Sequence, residues 1–189
     1  MKPRLWVFAG PNGAGKSTIV DRYVGGKMPV INPDNIARTL AASPDTASRV
    51  IEAGRLALRE RKARLAAKET FGIETTLTGR SELDLMRAAV EAGYQVNLVY
   101  VGLRDVQHSI ARVSERARRG GHDVPMADLL RRFDRSMANL GAAAAIANHR
   151  LILLDNSGNR RWLLFTRIGK RTKYRSPNPA PWAATLLAP

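Results

Sequence analysis

The chain has 189 residues, with 31 Lys and Arg against 16 Asp and Glu for a formal charge of +15, and it contains no cysteine. That length suits one α/β domain with a full hydrophobic core, and 44% hydrophobic residues agree with a globular chain. The absence of cysteine excludes disulfides, thiolate zinc sites and cysteine nucleophiles. No run approaches the ~18 apolar residues of a membrane span, and Lys2-Pro3-Arg4 leads into an apolar stretch too short for a signal peptide, so a cytosolic protein with no membrane association is expected. The positive field attracts polyanions: nucleotides, nucleic acid, anionic membrane surfaces or an acidic protein.

Residues 5–9 read as a buried strand. Directly after it, Gly10-Pro11-Asn12-Gly13-Ala14-Gly15-Lys16-Ser17 satisfies the pattern G-x-x-x-x-G-K-[ST] and runs on into Thr18. Glycines at this spacing let the backbone turn tightly and aim successive N–H groups at a phosphate. Lys16 supplies positive charge toward the β and γ phosphates of a nucleotide, Ser17 offers a hydroxyl to Mg²⁺, and the helix that starts there points its N-terminus at the same anion.

That helix runs to about residue 23 and is ended by Gly25-Gly26, and a short apolar run over 28–31 feeds Asn32-Pro33-Asp34. A small helix is expected over 33–42. After Ser43-Pro44-Asp45 a longer one extends to Lys68, with Val50, Ile51, Ala57, Leu58 and Leu65 giving partial helical periodicity. Strand 71–75, helix 82–92 closed by Gly93, strand 96–101, helix 105–118, loop 119–124, helix 126–147, strand 151–154 and a last strand 162–166 complete the order. Alternating strands and helices imply a three-layer α/β fold with a parallel central sheet covered on both faces. The domain is expected over 1–175. Residues 176–189 begin with the Pro-rich Ser176-Pro177-Asn178-Pro179-Ala180-Pro181 and read as an extended or loosely attached tail.

Asp34 falls just beyond the second strand, on the edge where parallel sheets bind ligands, so its carboxylate can take the proton of a hydroxyl attacking a γ-phosphate; an Asp in Asn-Pro-Asp also serves as a turn or cap. Glu74 ends the third strand beside Thr75, Thr76, Thr78 and Arg80, a cluster suited to substrate hydroxyls or to a Mg²⁺-bound water, or else a solvated strand end. Arg112, Arg116 and Arg119 share one helical face before Gly120-Gly121-His122, with Arg118 beside them and Arg132 following; arginines on a mobile lid stabilise a transferring phosphoryl group, though basic helix faces are commonly just solvated. Asn156, in the turn Asp155-Asn156-Ser157-Gly158, can face an adenine, or the segment is a simple solvated turn. Spacing of His108, His122 and His149 fits no zinc site. A second basic block, Arg160, Arg161, Arg167, Lys170, Arg171, Lys173 and Arg175, lies near the C-terminus, where the strand pattern is expected to bury Trp162 or Phe165.

Taken together, the phosphate loop, Ile31-Asn32-Pro33-Asp34, Ile73-Glu74-Thr75-Thr76 with Arg80, and Arg112-Val113-x-x-Arg116 leading to Gly120-Gly121-His122-x-Val124-Pro125 resemble the zeta toxin family over roughly residues 5–159. The resemblance implies a P-loop NTPase fold of the nucleoside and shikimate kinase type with an Arg-rich lid, and transfer of the ATP γ-phosphate to a hydroxyl of UDP-N-acetylglucosamine or a related nucleotide sugar. It also implies an acidic antitoxin partner. By position it makes Lys16 the phosphate-binding lysine, Ser17 the Mg²⁺ ligand and Asp34 the general base. Glu74, Thr75 and Arg80 then bind the acceptor, and Arg116, with Arg112 and Arg132, holds phosphates. Two other readings stay open: a kinase of polynucleotide ends gripping phosphates with the basic C-terminal block, and a non-catalytic nucleotide-responsive binding protein.

Overall fold

The computed structural model describes residues 2–40, 46–120, 124–184 and 186–187. Its elements in chain order are β1 (Arg4–Ala9), α1 (Lys16–Ile19), β2 (Val30–Ile31), α2 (Pro33–Thr39), α3 (Thr46–Ala66), β3 (Phe71–Thr75), α4 (Arg80–Glu91), β4 (Gln95–Gly102), α5 (Val106–Arg118), α6 (Met126–Ile146), β5 (Arg150–Asp155), β6 (Trp162–Ile168), β7 (Arg171–Arg175) and α7 (Pro181–Ala184). Helix α1 continues as a wider π turn over Val20–Val24, in which the Gly25 N–H reaches the Val20 carbonyl five residues back at 3.1 Å. The expected segment Ser43-Pro44-Asp45 and the lid residues Gly121 and His122 lie outside the described residues.

The strands form one sheet in the order β2-β3-β1-β4-β5-β6-β7. Period-two alternation sends side chains of the central strands to opposite faces. Leu5, Val7 and Ala9 of β1 and Val96, Leu98 and Tyr100 of β4 join a cluster with Met86 of α4 and Leu140 of α6, while Phe8, Val99 and Val101 pack with Ile19 and Val24 on the other face. The first five strands are parallel, so the segments that follow β1, β2 and β3 all emerge at one end of the sheet. These segments are the phosphate loop, Asn32-Pro33-Asp34 and the Glu74 cluster, which is how residues far apart in sequence meet.

The sheet departs from the all-parallel expectation at its far edge, where β6 pairs antiparallel with β5 and a seventh strand, β7, pairs antiparallel with β6. The connection over residues 156–161 is too short for a parallel crossover, which takes about a dozen residues, so the chain returns as a hairpin. Phe165 is buried as expected, but Trp162 is 56% exposed and all of β7 faces solvent.

The C-terminal segment is not loosely attached. Ala183 and Leu187 are buried in the main core, and the Trp182 Nε1–H donates to Asp155 Oδ1 at 2.9 Å. The indole packs 5.6 Å from the Tyr100 ring and close against Gly102, where a Cβ would come within 2.3 Å of it. Proline content signalled a linker, yet one tryptophan and one leucine supply enough apolar surface to dock the segment. Trp182→Ala is expected to lower unfolding stability by about 2–3 kcal/mol in urea titrations, toward the lower end for large-to-small changes because the ring is only partly buried; a loss under ~0.5 kcal/mol, the range of surface substitutions, would contradict the docking.

Candidate active site

The phosphate loop is built on backbone that only glycine adopts without strain: Gly13 and Gly15 have φ of 72° and 88°, and a Cβ on Gly10 would stand 2.2 Å from the Val101 carbonyl oxygen. Flanking elements fix its course. Ser109 Oγ on α5 donates to the Asn12 carbonyl at 2.7 Å, and Asn156 Nδ2, beyond β5, donates to the Ala14 carbonyl at 2.8 Å. Lys16 opens α1 and is 8% exposed, with its ammonium donating to the Pro11 carbonyl at 2.9 Å. Burial pushes the Lys16 pKa below the usual lysine range; Glu74 and then Asp34 oppose that fall, and Arg116 adds to it.

Glu74, also 8% exposed, joins the three strand ends. Its Oε1 accepts from Ser17 Oγ at 2.7 Å and its Oε2 from Asn32 Nδ2 at 2.9 Å. Asn32 in turn caps α2, its Oδ1 accepting the Asp34 N–H at 2.9 Å with Pro33 in the first helical position. The cap is therefore Asn32, and the Asp34 carboxylate is left on the wall of the cleft. Thr75 has a structural hydrogen bond of its own: its Oγ1 accepts the Leu77 N–H at 2.9 Å, holding Leu77 at φ 58°.

These groups line a cleft of about 410 Å³ that takes Asn12, Gly13, Lys16, Ser17 and Thr18 from the phosphate-loop side, Asp34 from α2, Glu74 to Thr76 from the end of β3, and Arg112, Arg116 and Arg132 from α5 and α6. Arg112 reaches back to the Gly13 and Gly158 carbonyls at 3.5 and 3.3 Å, tying α5 to both nucleotide-side loops. Asn156 instead faces an adjoining hollow with Gly15, Thr18, Arg160 and Arg161. Gly10, Pro11 and Ala14 are buried and do not line the cleft. Arg118 and Arg119 are exposed and pair with Glu115, as solvated helix faces do.

Arg80 stands apart from the other expected acceptor residues. It is exposed in the first turn of α4 and does not line the cleft, because Gly79 starts that helix earlier than the pattern suggested. The cation on that wall is Arg61, with Glu82 beside it, and neither belongs to the expected set. The signal for Arg61 was present: Ala53, Ala57 and Arg61 recur every fourth residue and are the buried stripe of α3, so an arginine occupies a position that faces inward. His108 and His149 have local structural partners, Asp105 and Asn97, at 2.8 Å.

A phosphate loop after the first strand of a mostly parallel sheet with helices on both faces defines an α/β P-loop NTPase fold, and the layout is that of a P-loop kinase-like domain. Residues 5–140 match a family model described as an AAA domain, and the chain belongs to that family. An uncharacterized protein of Haemophilus influenzae is 33% identical over 132 residues, covering 66% of this chain and 93% of that protein. The crystal structure of AvrRxo1-ORF1:-ORF2 with ATP superposes with a TM-score of 0.74 at 18% identity; the match covers 91% of this chain, which spans 60% of that one. A chain of the PezAT chromosomal toxin-antitoxin system of Streptococcus pneumoniae gives 0.59 at 16% identity, covering 87% of this chain and 71% of that one. At these identities the likeness is one of fold. No helix among the described residues is long and apolar enough to cross a membrane.

The buried ammonium of Lys16 has a consequence for the unliganded protein. Its pKa is lower folded than unfolded, so between those two values the unfolded chain holds more protons and stability rises with pH. Lys16→Met is expected to be more stable than the parent at pH 7, with the gap narrowing as pH climbs toward 10.5. Urea unfolding of both proteins at the two pH values checks the sign.

Proposed function

We propose that this chain is a kinase that transfers the γ-phosphoryl group of ATP to a hydroxyl of a small molecule, with a nucleotide sugar such as UDP-N-acetylglucosamine as the favoured acceptor. One observation carries the reading: Asp34 and Lys16 line a single cleft and interact electrostatically, so a carboxylate faces the place where the phosphate loop would hold a γ-phosphate. Asp34 accepts the proton of the acceptor hydroxyl as its oxygen attacks phosphorus, and the bond from the γ-phosphorus to the β–γ bridging oxygen breaks, releasing ADP. Lys16 and the loop N–H groups draw off charge on the β and γ phosphates, and Arg116, with Arg112 and Arg132, faces the charge on the transferring group.

Ser17 and Glu74 are hard oxygen donors that suit Mg²⁺, and because the Ser17 proton goes to Glu74, the lone pairs of its hydroxyl oxygen remain for a cation. Mg²⁺ held there would neutralise phosphate charge. The surplus of +15 supports an acidic protein partner of the antitoxin kind, in keeping with the two-protein systems that share the fold.

A polynucleotide acceptor draws support from the exposed Trp162, stacked by Arg160 at 5.0 Å, and the exposed Tyr174 on the basic hairpin. Against it, β7 lies five strand positions from β3, about 24 Å at ~4.8 Å per strand, on the side of the sheet away from Asp34 and Glu74. The acceptor half of the cleft therefore favours a small molecule.

With γ-labelled ATP and a metabolite extract, supplemented in parallel with UDP-N-acetylglucosamine, the protein is expected to label one acceptor. Asp34→Ala should lower kcat by about 10²–10⁴-fold with the KM for ATP nearly unchanged, whereas Lys16→Ala weakens both. Mass spectrometry of the product identifies the acceptor, and undiminished transfer by Asp34→Ala would remove the base assignment.

A further inference from the structure

We infer that Arg61 and Glu82 form an oxyanion-binding subsite in the acceptor half of the cleft, so that the acceptor carries a phosphate or carboxylate group apart from the hydroxyl that reacts. The assignment of this pair to the acceptor rests on the kinase reading above. The geometry of the pair is what singles it out. Arg61 is 4% exposed, yet it lines the cleft rather than the core. Its Nε–H has no hydrogen-bond partner, and its Nη1 stands 3.6 Å from Glu82 Oε1, well beyond the ~2.7–2.9 Å of a charge-assisted bond. The other carboxylate oxygen of Glu82 accepts from Ser81 Oγ at 3.1 Å.

A guanidinium has five N–H donors in a fixed plane, and this one is under-used where donors are expensive to leave unmade. Burial pushes the Arg61 pKa down, with Glu82 opposing, but an arginine does not lose its proton in a protein and the charge remains. Were the position only structural, an apolar side chain would continue the Ala53 and Ala57 stripe at less cost. An oxyanion satisfies the site because its lone pairs accept from two guanidinium N–H groups together, in the bidentate manner carboxylates and phosphates share. A neutral hydroxyl offers no negative charge and cannot accept from two guanidinium N–H groups in this bidentate manner.

Charge elsewhere in the cleft points the same way. Lys16, Arg112 and Arg116 stand on the side of the phosphate loop and α5, where the phosphates of ATP would engage them. On the acceptor side, between α2, α3 and the start of α4, Asp34, Glu74 and Glu82 are all carboxylates, and Arg132 across the cleft is already drawn to Asp128 at 3.7 Å. Arg61 is thus the cation placed to hold an acidic acceptor against three negative neighbours. Glu82 weakens that grip and keeps the pocket from binding bulk anions tightly.

The experiment uses the full chain loaded with Mg²⁺ and a non-hydrolysable ATP analogue, so that the phosphate loop is filled, and titrates inorganic phosphate or acetate while following arginine Nε–H resonances by NMR. The Arg61 signal is assigned by its loss in Arg61→Lys. One or both anions should shift it saturably, phosphate alone pointing to a phosphorylated acceptor and acetate alone to a carboxylic one. Arg61→Gln should weaken that binding by roughly tenfold or more, the worth of a charge-assisted pair, and Glu82→Gln should tighten it several-fold. An Arg61 signal unmoved by both anions overturns the inference, as does a Glu82→Gln protein that binds them more weakly; these two arms suffice if Arg61→Gln does not fold. Binding without any phosphoryl transfer keeps the subsite and defeats the kinase reading. Transfer to an uncharged acceptor with a KM indifferent to Arg61→Gln does the reverse.

Discussion

The Glu74 carboxylate is the constraint on which the cleft depends. One oxygen takes the Ser17 hydroxyl from the phosphate loop and the other takes the Asn32 amide from the loop after β2. Because Asn32 also caps α2 through the Asp34 N–H, a chain of three hydrogen bonds runs from Ser17 to the backbone of Asp34. Parallel strand pairing brings these segments to one end of the sheet, but pairing alone sets strand ends only to within a side chain's length. The carboxylate narrows that to hydrogen-bond precision, and its burial makes each bond stiff, since a partner lost there leaves a desolvated polar group.

The same burial governs Lys16. Burying its charge is costly, and Glu74 and Asp34 offset part of that cost across the cleft. A bound polyphosphate would offset more, so the site is arranged to gain most when filled. The large surplus of positive charge on the chain plays a different part. Much of it sits on the exposed β6–β7 hairpin, at the opposite edge of the sheet from Glu74, where it raises long-range attraction for anions without crowding the carboxylates near Asp34.

How legible all this was in the sequence follows from the range of each interaction. The phosphate loop was readable because its requirements are local: glycines where φ is positive, a lysine at the helix start, a strand just before. The positions of Asp34 and Glu74 were readable from parallel topology, since each follows an apolar run. That Glu74 bridges Ser17 and Asn32 was not, because hydrogen bonds spanning 57 and 42 residues leave no mark on periodicity. Arg61 was missed for the opposite reason: its signal is periodic, but Ala53 and Ala57 make a faint stripe and a charged residue on it reads as a break. The antiparallel hairpin and the docked C-terminal segment were misjudged because connection length and a single Trp182 outweighed composition.

The turn after β3 shows how the fold holds a loop that is not at its own energetic minimum. Leu77 occupies left-handed backbone space, a conformation that costs a non-glycine residue about 1–2 kcal/mol. Three contacts hold it there: the Thr75 hydroxyl on its N–H, Asn139 Nδ2 on its carbonyl at 2.9 Å, and complete burial of its side chain in the core. The turn so fixed presents Thr76 to the cleft beside Glu74. Asn139 lies on α6 two helical turns from Arg132, hence on the same face of one rigid element. Helix α6 therefore carries a cleft-lining arginine toward one end and, two turns further on, the anchor of the Leu77 turn. Any displacement of α6 along its axis carries both, so the place of Arg132 in the cleft and the course of the turn that presents Thr76 are set by a single structural element.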